Sequence, residues 1–315
     1  MNGIKCLVTG SNGFIGSYLV NFLIKRGFTV IGTAHQKTHK LTPMLDKITV
    51  YMCDILDKEK LEEIVRKVKP VFVFHLAAQS SIPLSWQEPG KTLQTNILGT
   101  LYLLESIRKA DIDPLIEIAC SSAEYGLVDK NDVPIKEDCG FKPLSPYAVS
   151  KIGQDMLAYL YWQAYKMRII RIRPFYIIGP GKTSDAPSDF ARGIAEIEKG
   201  QRNVLEVGNL ESVRDVVDVR DCIKAMWLLT ERGKPGEVYN ICSGKGYKMV
   251  DILDIMLSFS WKKIEIRQDP AKMRTFDETI LVGDNSKLRK IGWKPQIPLE
   301  KTLSDILDFW RENLG

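Results

Sequence analysis

The chain has 315 residues, 44% apolar and 26% charged, enough for one large α/β unit or two joined ones. Its formal net charge of +5 comes from interleaved Lys, Arg, Asp and Glu, so no basic run marks a nucleic-acid partner. No apolar stretch approaches the roughly 20 residues that cross a bilayer, and no membrane partner is expected. Six cysteines (Cys6, Cys53, Cys120, Cys139, Cys222 and Cys242) stand far apart. They form neither a C-x-x-C pair nor a zinc-like spacing with His, which predicts reduced thiols and no metal site. Met1 is followed almost at once by the apolar run 4–8, without the charged and apolar regions of a signal peptide, so a cytoplasmic location is expected.

In chain order, IKCLVTG, FTVIGTA, ITVYMCD, VFVFHLAA and LIEIACSS read as strands. Between them SYLVNFLIKRG, KLEEIVRKV and TNILGTLYLLESIRKA carry helical periodicity. This alternation predicts βαβ units and a doubly wound parallel sheet whose strands are nearly continuous apolar runs. Pro146 opens a helix expected to run to about Met167, and RIIRIRP is another strand. IIGPGKTSDAPSD then breaks the pattern, which places a domain transition near Pro174. Residues 1–174 are expected to form the nucleotide-binding domain and 175–315 mainly a smaller substrate domain. DVVDV and EVYNI, within 215–241, are expected to return to the first sheet.

Residues 8–16 read VTGSNGFIG and put Gly10, Gly13 and Gly16 at the first strand-to-helix junction. There the glycines permit a tight turn, close backbone approach to a pyrophosphate, and close helix–strand contact. The helix start adds free N–H groups and partial positive charge. Asp54, after the third strand, is placed to accept from an adenine amino group. The acid that usually meets the ribose 2′-hydroxyl about 20 residues beyond the glycines is missing. Residues 33–40 read TAHQKTHK, and Lys37 and Lys40 with no carboxylate favour NADP(H), with NAD(H) as the alternative.

Ser145-Pro146-Tyr147 begins the long helix, and Lys151 follows Tyr147 by one turn. An ammonium beside a phenol stabilises the phenolate, so the pair suits proton transfer to a ketone oxygen as hydride arrives. Alone, such a spacing is an ordinary surface feature. Ser121 changes that, because it ends LIEIACSS at the carboxyl edge where open α/β sheets place ligands. Ser121, Tyr147 and Lys151 are the expected catalytic residues.

These motifs, in this order, resemble the extended short-chain dehydrogenase/reductases, a Rossmann-type family. HLAAQSSIPLSWQEP, RPFYIIGPG, LEVGNLESVRD and DPAKMR resemble its GDP-mannose dehydratase and GDP-4-keto-6-deoxymannose reductase branch. The resemblance implies a nucleotide contact set that includes Gly10, Asn12, Gly13, Phe14, Ile15, Gly16, Asp54, Ile55, Leu76, Ala77, Ala78, Lys151 and Pro174. It implies substrate contacts at Ser80, Ser81, Ser121, Tyr147, Tyr176, Arg192, Arg214, Arg274 and Asp277, with Arg214 gripping the diphosphate of a GDP-linked keto-sugar. Tyr176 departs from the family's usual Asn and leaves the hexose open.

The resembling dehydratases carry a catalytic Glu where this chain has Ala123. The neighbouring Glu124, pointing the other way if the strand alternates, reads as an exposed loop acid. Reduction at C4, to a GDP-6-deoxyhexose of the GDP-D-rhamnose type, is the expected reaction. A nucleotide-sugar 4-epimerase, a GDP-mannose 4,6-dehydratase and a non-catalytic dinucleotide sensor are the alternatives. Apolar side chains on several faces of the helices near 96–109 and 147–166, including Tyr159, Tyr161 and Trp162, predict a homodimer through four helices.

Overall fold

The computed structural model describes residues 3–36, 39–273 and 279–314. From the N-terminus, strands and helices alternate as β1 (Lys5–Thr9), α1 (Phe14–Lys25), β2 (Thr29–Ala34), β3 (Ile48–Met52), α2 (Lys58–Val68) and β4 (Phe72–His75). Then come α3 (Ile82–Gln87), α4 (Pro89–Leu93), α5 (Gly99–Lys109), β5 (Leu115–Ala119), α6 (Pro146–Tyr165) and β6 (Ile169–Pro174). Beyond Pro174 lie β7 (Tyr176–Ile178), α7 (Ala186–Glu198), β8 (Val204–Val207), β9 (Val213–Asp218), α8 (Val219–Arg232) and β10 (Val238–Ile241). The chain finishes with β11 (Gly246–Lys248), α9 (Met249–Ser258), β12 (Glu265–Gln268), β13 (Ile280–Leu281), α10 (Ser286–Lys290) and α11 (Leu299–Asn313).

Two compact units emerge: Met1–Gly126, Gly140–Pro174 and Ile223–Tyr239 form the first, and Leu127–Cys139, Phe175–Cys222 and Asn240–Gly315 the second. The first is built on a seven-stranded sheet in the order β10-β6-β5-β4-β1-β2-β3. β1 pairs in parallel with both β2 and β4, so strand order reverses beside β1, the switch point at which such sheets hold ligands. On one face Leu7, Val73, Ile116 and Ile118 pack with Leu61, Ile64 and Val65 of α2 and Leu103, Leu104 and Ile107 of α5. On the other, Trp227 of α8 stacks against Phe28 and Phe72, with ring centres 5.0 and 6.1 Å away. Helices on both faces explain why the strands are apolar throughout.

In the second unit β9 pairs with β7 and β13 in parallel and with β11 in antiparallel fashion. Here the structure corrects the sequence reading: EVYNI does supply β10 to the seven-stranded sheet, but DVVDV supplies β9 to the separate four-stranded one. Both segments are short and apolar, and nothing in such a run specifies its pairing partner. The excursion Leu127–Cys139 also belongs to the second unit, where Ile135 exchanges backbone hydrogen bonds with Val282 and Asp284. The core there gathers Ile194, Leu205, Val216, Met256, Leu303 and Leu307. Among the described residues no helix is long and apolar enough to cross a membrane.

Two aromatic residues expected on an unpartnered helix face are covered within the first unit. Tyr161 is 6% exposed and its hydroxyl donates to Glu105 Oε1 at 2.7 Å, while Trp162 lies against Gly236, where any Cβ would strike the indole. The outward apolar surface of α6 comprises Val149, Met156, Tyr159, Leu160 and Tyr165.

Candidate active site

The turn after β1 has no room for side chains. Gly10 has φ +66°, and a Cβ there would lie 2.8 Å from the Ala77 nitrogen; one on Gly16 would strike the Gly10 carbonyl oxygen. Gly13 precedes α1 and makes no side-chain cap, so the positive end of the helix dipole adjoins the glycine turn. The side-chain amide of Asn12 donates to Gln36 O at 2.6 Å and ties the turn to the end of β2. Phe14 and Ile15 open α1.

Opposite, Thr9 Oγ1 accepts from the Leu76 and Ala77 N–H groups, both at 3.2 Å, which fixes the 76–78 strip beside the glycines. Behind it the fully buried His75 bridges Thr9 Oγ1 at 2.8 Å and Thr100 Oγ1 at 2.9 Å, and burial pushes its pKa down to about 3, so the ring is neutral. Ile55 packs on Gly99, where a Cβ would come within 2.7 Å of it. Asp54 is exposed, and its carboxylate accepts from Leu56 N at 3.0 Å.

Ser121, Tyr147 and Lys151 all belong to the first unit and meet beyond the carboxyl end of β5. Ser145 caps α6 by accepting from Ala148 N at 3.1 Å, Pro146 fills the first turn, and Tyr147 and Lys151 follow on one face. The Ser121 hydroxyl shares a hydrogen bond with the Tyr147 phenol. Lys151 is 4% exposed; its Nζ lies 6.0 Å from the Tyr147 ring centre and donates to Ala119 O and Gln154 Oε1, each at 2.7 Å.

Burial lowers the Lys151 ammonium to about 8 and pushes the Tyr147 phenol up to about 12. The lowering of the phenol expected from Lys151 is not found: the Ser121 hydrogen bond is what lowers it, desolvation outweighs that bond, and the phenol holds its proton through the neutral range.

Glu124 is the clearest departure from the sequence reading. It is fully buried, not an exposed loop acid. Ser122–Glu124 wind into a single 3-10 turn, so strand alternation does not apply to them. Ser121 Oγ accepts from Ala123 N at 3.2 Å, and Glu124 Oε1 accepts from Ser121 N at 2.8 Å, closing a capping box. The sequence signal was present as Ser121-x-x-Glu124. Asn96 was missed with no such signal. It sits in a turn of π-helix at Gln94–Leu98, its Nδ2 donating to Gln79 O at 3.0 Å and Ser150 Oγ at 2.7 Å, which pins the loop after β4 to α6.

The residues carried over for substrate are more scattered in character. Ser80 is exposed, and Ser81 caps α3 by accepting from Leu84 N at 3.3 Å. Pro174 ends β6. In the second unit the Tyr176 hydroxyl accepts from Ala186 N at 3.3 Å and Lys182 Nζ lies 5.0 Å from its ring centre. Arg214, in β9, is only 6% exposed and is therefore no solvated surface charge. Arg192 projects from α7 largely into solvent, paired with Glu196 at 2.8 Å. Lys37, Arg274 and Asp277 lie outside the described residues, as does the side chain of Lys40.

Residues 7–306 match the family model described as GDP-mannose 4,6 dehydratase. The chain belongs to this family. Within the GDP-mannose 4,6-dehydratase family it is 33% identical to the GDP-6-deoxy-D-mannose reductase of Pseudomonas aeruginosa, over 98% of each chain. The structure of RMD from Pseudomonas aeruginosa complexed with NADPH superposes with a TM-score of 0.86 at 31% identity, covering 98% of this chain and 99% of that one. The Thermus thermophilus UDP-glucose 4-epimerase complex with NAD superposes with a TM-score of 0.89 at 27% identity, covering 98% and 100%. The fold is thus common to reductases, dehydratases and epimerases of nucleotide sugars, and the distinction between them falls to individual side chains. Ala123, where the resemblance implies an acid in a dehydratase, is 8% exposed and carries no titratable group.

Proposed function

We propose that this chain reduces the C4 ketone of a GDP-4-keto-6-deoxyhexose with NADPH, giving a GDP-6-deoxyhexose of the GDP-D-rhamnose type. The observation that carries the reading is the meeting of Ser121, Tyr147 and Lys151 at the sheet edge beside an alanine where elimination would need a carboxylate. The glycine cradle and the uncapped start of α1 fit a dinucleotide pyrophosphate. NADP(H) is preferred over NAD(H) because residues 33–40 carry no acid to repel a 2′-phosphate, and the Pseudomonas structure holds NADPH.

When bound, the dinucleotide supplies the hydride. The protonated Tyr147 phenol donates its proton to the C4 oxygen, and the Ser121 hydroxyl holds that oxygen by a hydrogen bond. Lys151, charged through most of the neutral range, would stabilise the phenolate left when the Tyr147 proton departs and would hold the nicotinamide ribose. Arg214 is the proposed diphosphate ligand, its planar fork suited to two phosphate oxygens. Ser80, Ser81, Tyr176, Arg192, Arg274 and Asp277 complete the proposed substrate set. The working form is proposed to be a cytoplasmic homodimer formed through the helices near 96–109 and 147–166, a reading supported by the exposed Leu98, Val149, Met156, Tyr159, Leu160 and Tyr165. A monomeric mass by light scattering at micromolar concentration would refute that assembly.

The test is to offer GDP-4-keto-6-deoxymannose with NADPH and identify the product by NMR. A GDP-6-deoxyhexose is expected, and Tyr147→Phe should abolish turnover while leaving NADPH binding intact. Tightly bound NAD+ with interconversion of 4-epimers and no added cofactor would replace this reading by the epimerase one.

A further inference from the structure

Beneath the catalytic trio lies a buried ionic network that the reaction as described does not use. Arg173 of β6 places Nε 3.1 Å from Glu124 Oε2 and 3.0 Å from Asp155 Oδ2, and its Nη1 donates to the Tyr125 hydroxyl at 2.9 Å. Arg171 Nη1 meets the other Asp155 oxygen at 2.6 Å. Glu124, Asp155 and Arg173 are each no more than 2% exposed, and Arg171 is 7% exposed. Cys120 completes the cluster, with its sulfur and one oxygen of each acid within 4.8 Å of one another. Arg171 and Arg173 hydrogen-bond both Asp155 oxygens, and Arg173 faces Glu124 Oε2 as an ion pair without hydrogen-bond geometry, so the cluster is an ion network. Burying four such ionisable groups is costly unless their arrangement is put to use.

We propose that Glu124 is a positioning residue for the reduction: it fixes Ser121 through its main chain and couples the Ser121–Tyr147–Lys151 group to the Arg173–Asp155–Arg171 network. The inference rests on the reading of that trio as catalytic. One carboxylate oxygen receives the Ser121 N–H, which orients the residue whose hydroxyl meets Tyr147. The other faces Arg173. A simple turn cap would be served by any solvated acid; this one is sealed off from water and sits among groups that carry the proton chemistry.

The charged and titratable groups that face it are Lys151, Tyr147 and Asp155 from α6, Arg173 from β6, Cys120 after β5, and Tyr125 from its own turn. Burial and the nearby Asp155 raise its carboxyl, whereas its own negative charge raises Lys151 and Tyr147.

Two substitutions separate the jobs. Glu124→Gln keeps an oxygen for the Ser121 N–H but removes the charge. Glu124→Asp keeps the charge but is one methylene too short to reach the N–H. The midpoint of Lys151 is read by NMR of its 15Nζ, assigned from the signal lost in Lys151→Met. Removing an adjacent anion disfavours the ammonium, so Glu124→Gln should lower the Lys151 midpoint by about half a pH unit or more, about a threefold change in proton affinity. Glu124→Asp should hold the midpoint, lower kcat about tenfold, and leave the NADPH Kd within about twofold.

An unmoved midpoint in Glu124→Gln, or a kcat within about twofold of the parent in Glu124→Asp, overturns the proposal. If Glu124→Gln does not fold, the Glu124→Asp kinetics decide alone. The NMR arm needs no substrate, so failure of the parent to reduce the keto-sugar removes the functional reading without erasing a shifted midpoint.

Discussion

Replacing Glu117 by Gln should make the protein more stable, and increasingly so as pH rises. Glu117 lies in the middle of β5, 1% exposed, in register with Phe74 and Ile170 of the flanking strands. One carboxyl oxygen receives the Thr230 hydroxyl at 2.7 Å; the other has no partner. Burial pushes its pKa from 4.5 up to about 8, so the folded chain holds a proton there that the unfolded chain releases.

Stability from this site is complete below the unfolded value and drains away as pH climbs through the folded one. At about 1.4 kcal/mol per tenfold, the displacement amounts to about 5 kcal/mol at most, of which about 4 kcal/mol falls between about pH 5 and about pH 9. Local relaxation reduces this, and about 2 kcal/mol or more is expected. Gln keeps the acceptor for Thr230 and cannot ionise. Urea unfolding of parent and Glu117→Gln at several pH values measures the difference directly, because every other titration is shared. A stability difference constant to within about 0.5 kcal/mol across that range would show that Glu117 does not carry a buried proton.

Gly10→Ala should raise the NADPH Kd at least about tenfold, since the new Cβ would collide with the Ala77 backbone in a left-handed turn; binding calorimetry with a circular dichroism control checks it. Tyr176→Phe removes the acceptor for the Ala186 N–H and should cost about 1 kcal/mol in chemical denaturation, an effect independent of any contact with sugar. Arg214→Met should raise the KM for the keto-sugar about tenfold or more and leave the NADPH Kd unchanged in steady-state and binding measurements. If NADH supports a kcat/KM comparable to that with NADPH, the argument from the missing ribose acid fails.

The fold was largely legible because its physics is local and repetitive. Gly10, Gly13 and Gly16 stand where only backbone fits, Pro146 and Ser145 mark a helix start, and apolar runs of strand length recur between amphipathic helices. What was not legible depended on pairing between distant segments. β9 and β10 look alike in sequence yet join different sheets. Glu124 was misread for a different reason. Alternation was assumed to continue past the end of β5, although Ser121-x-x-Glu124 already carried the signature of a turn that folds its acid back on its own cap. The partners of that acid, Arg173 and Asp155, lie 49 and 31 positions further along the chain, beyond the reach of any local pattern.

Ser121 and Tyr147 stand on either side of the excursion at Leu127–Cys139, which leaves the first unit and comes back. At its two ends Gly126 and Lys142 form a bridge: Lys142 N donates to Tyr125 O at 3.1 Å, and Gly126 is pressed so closely on the Lys142 carbonyl that no side chain would fit. That bridge works as a clasp. It holds the two ends of the excursion together inside the first unit, and so limits how far a change within 127–139 can drive the serine and the tyrosine apart.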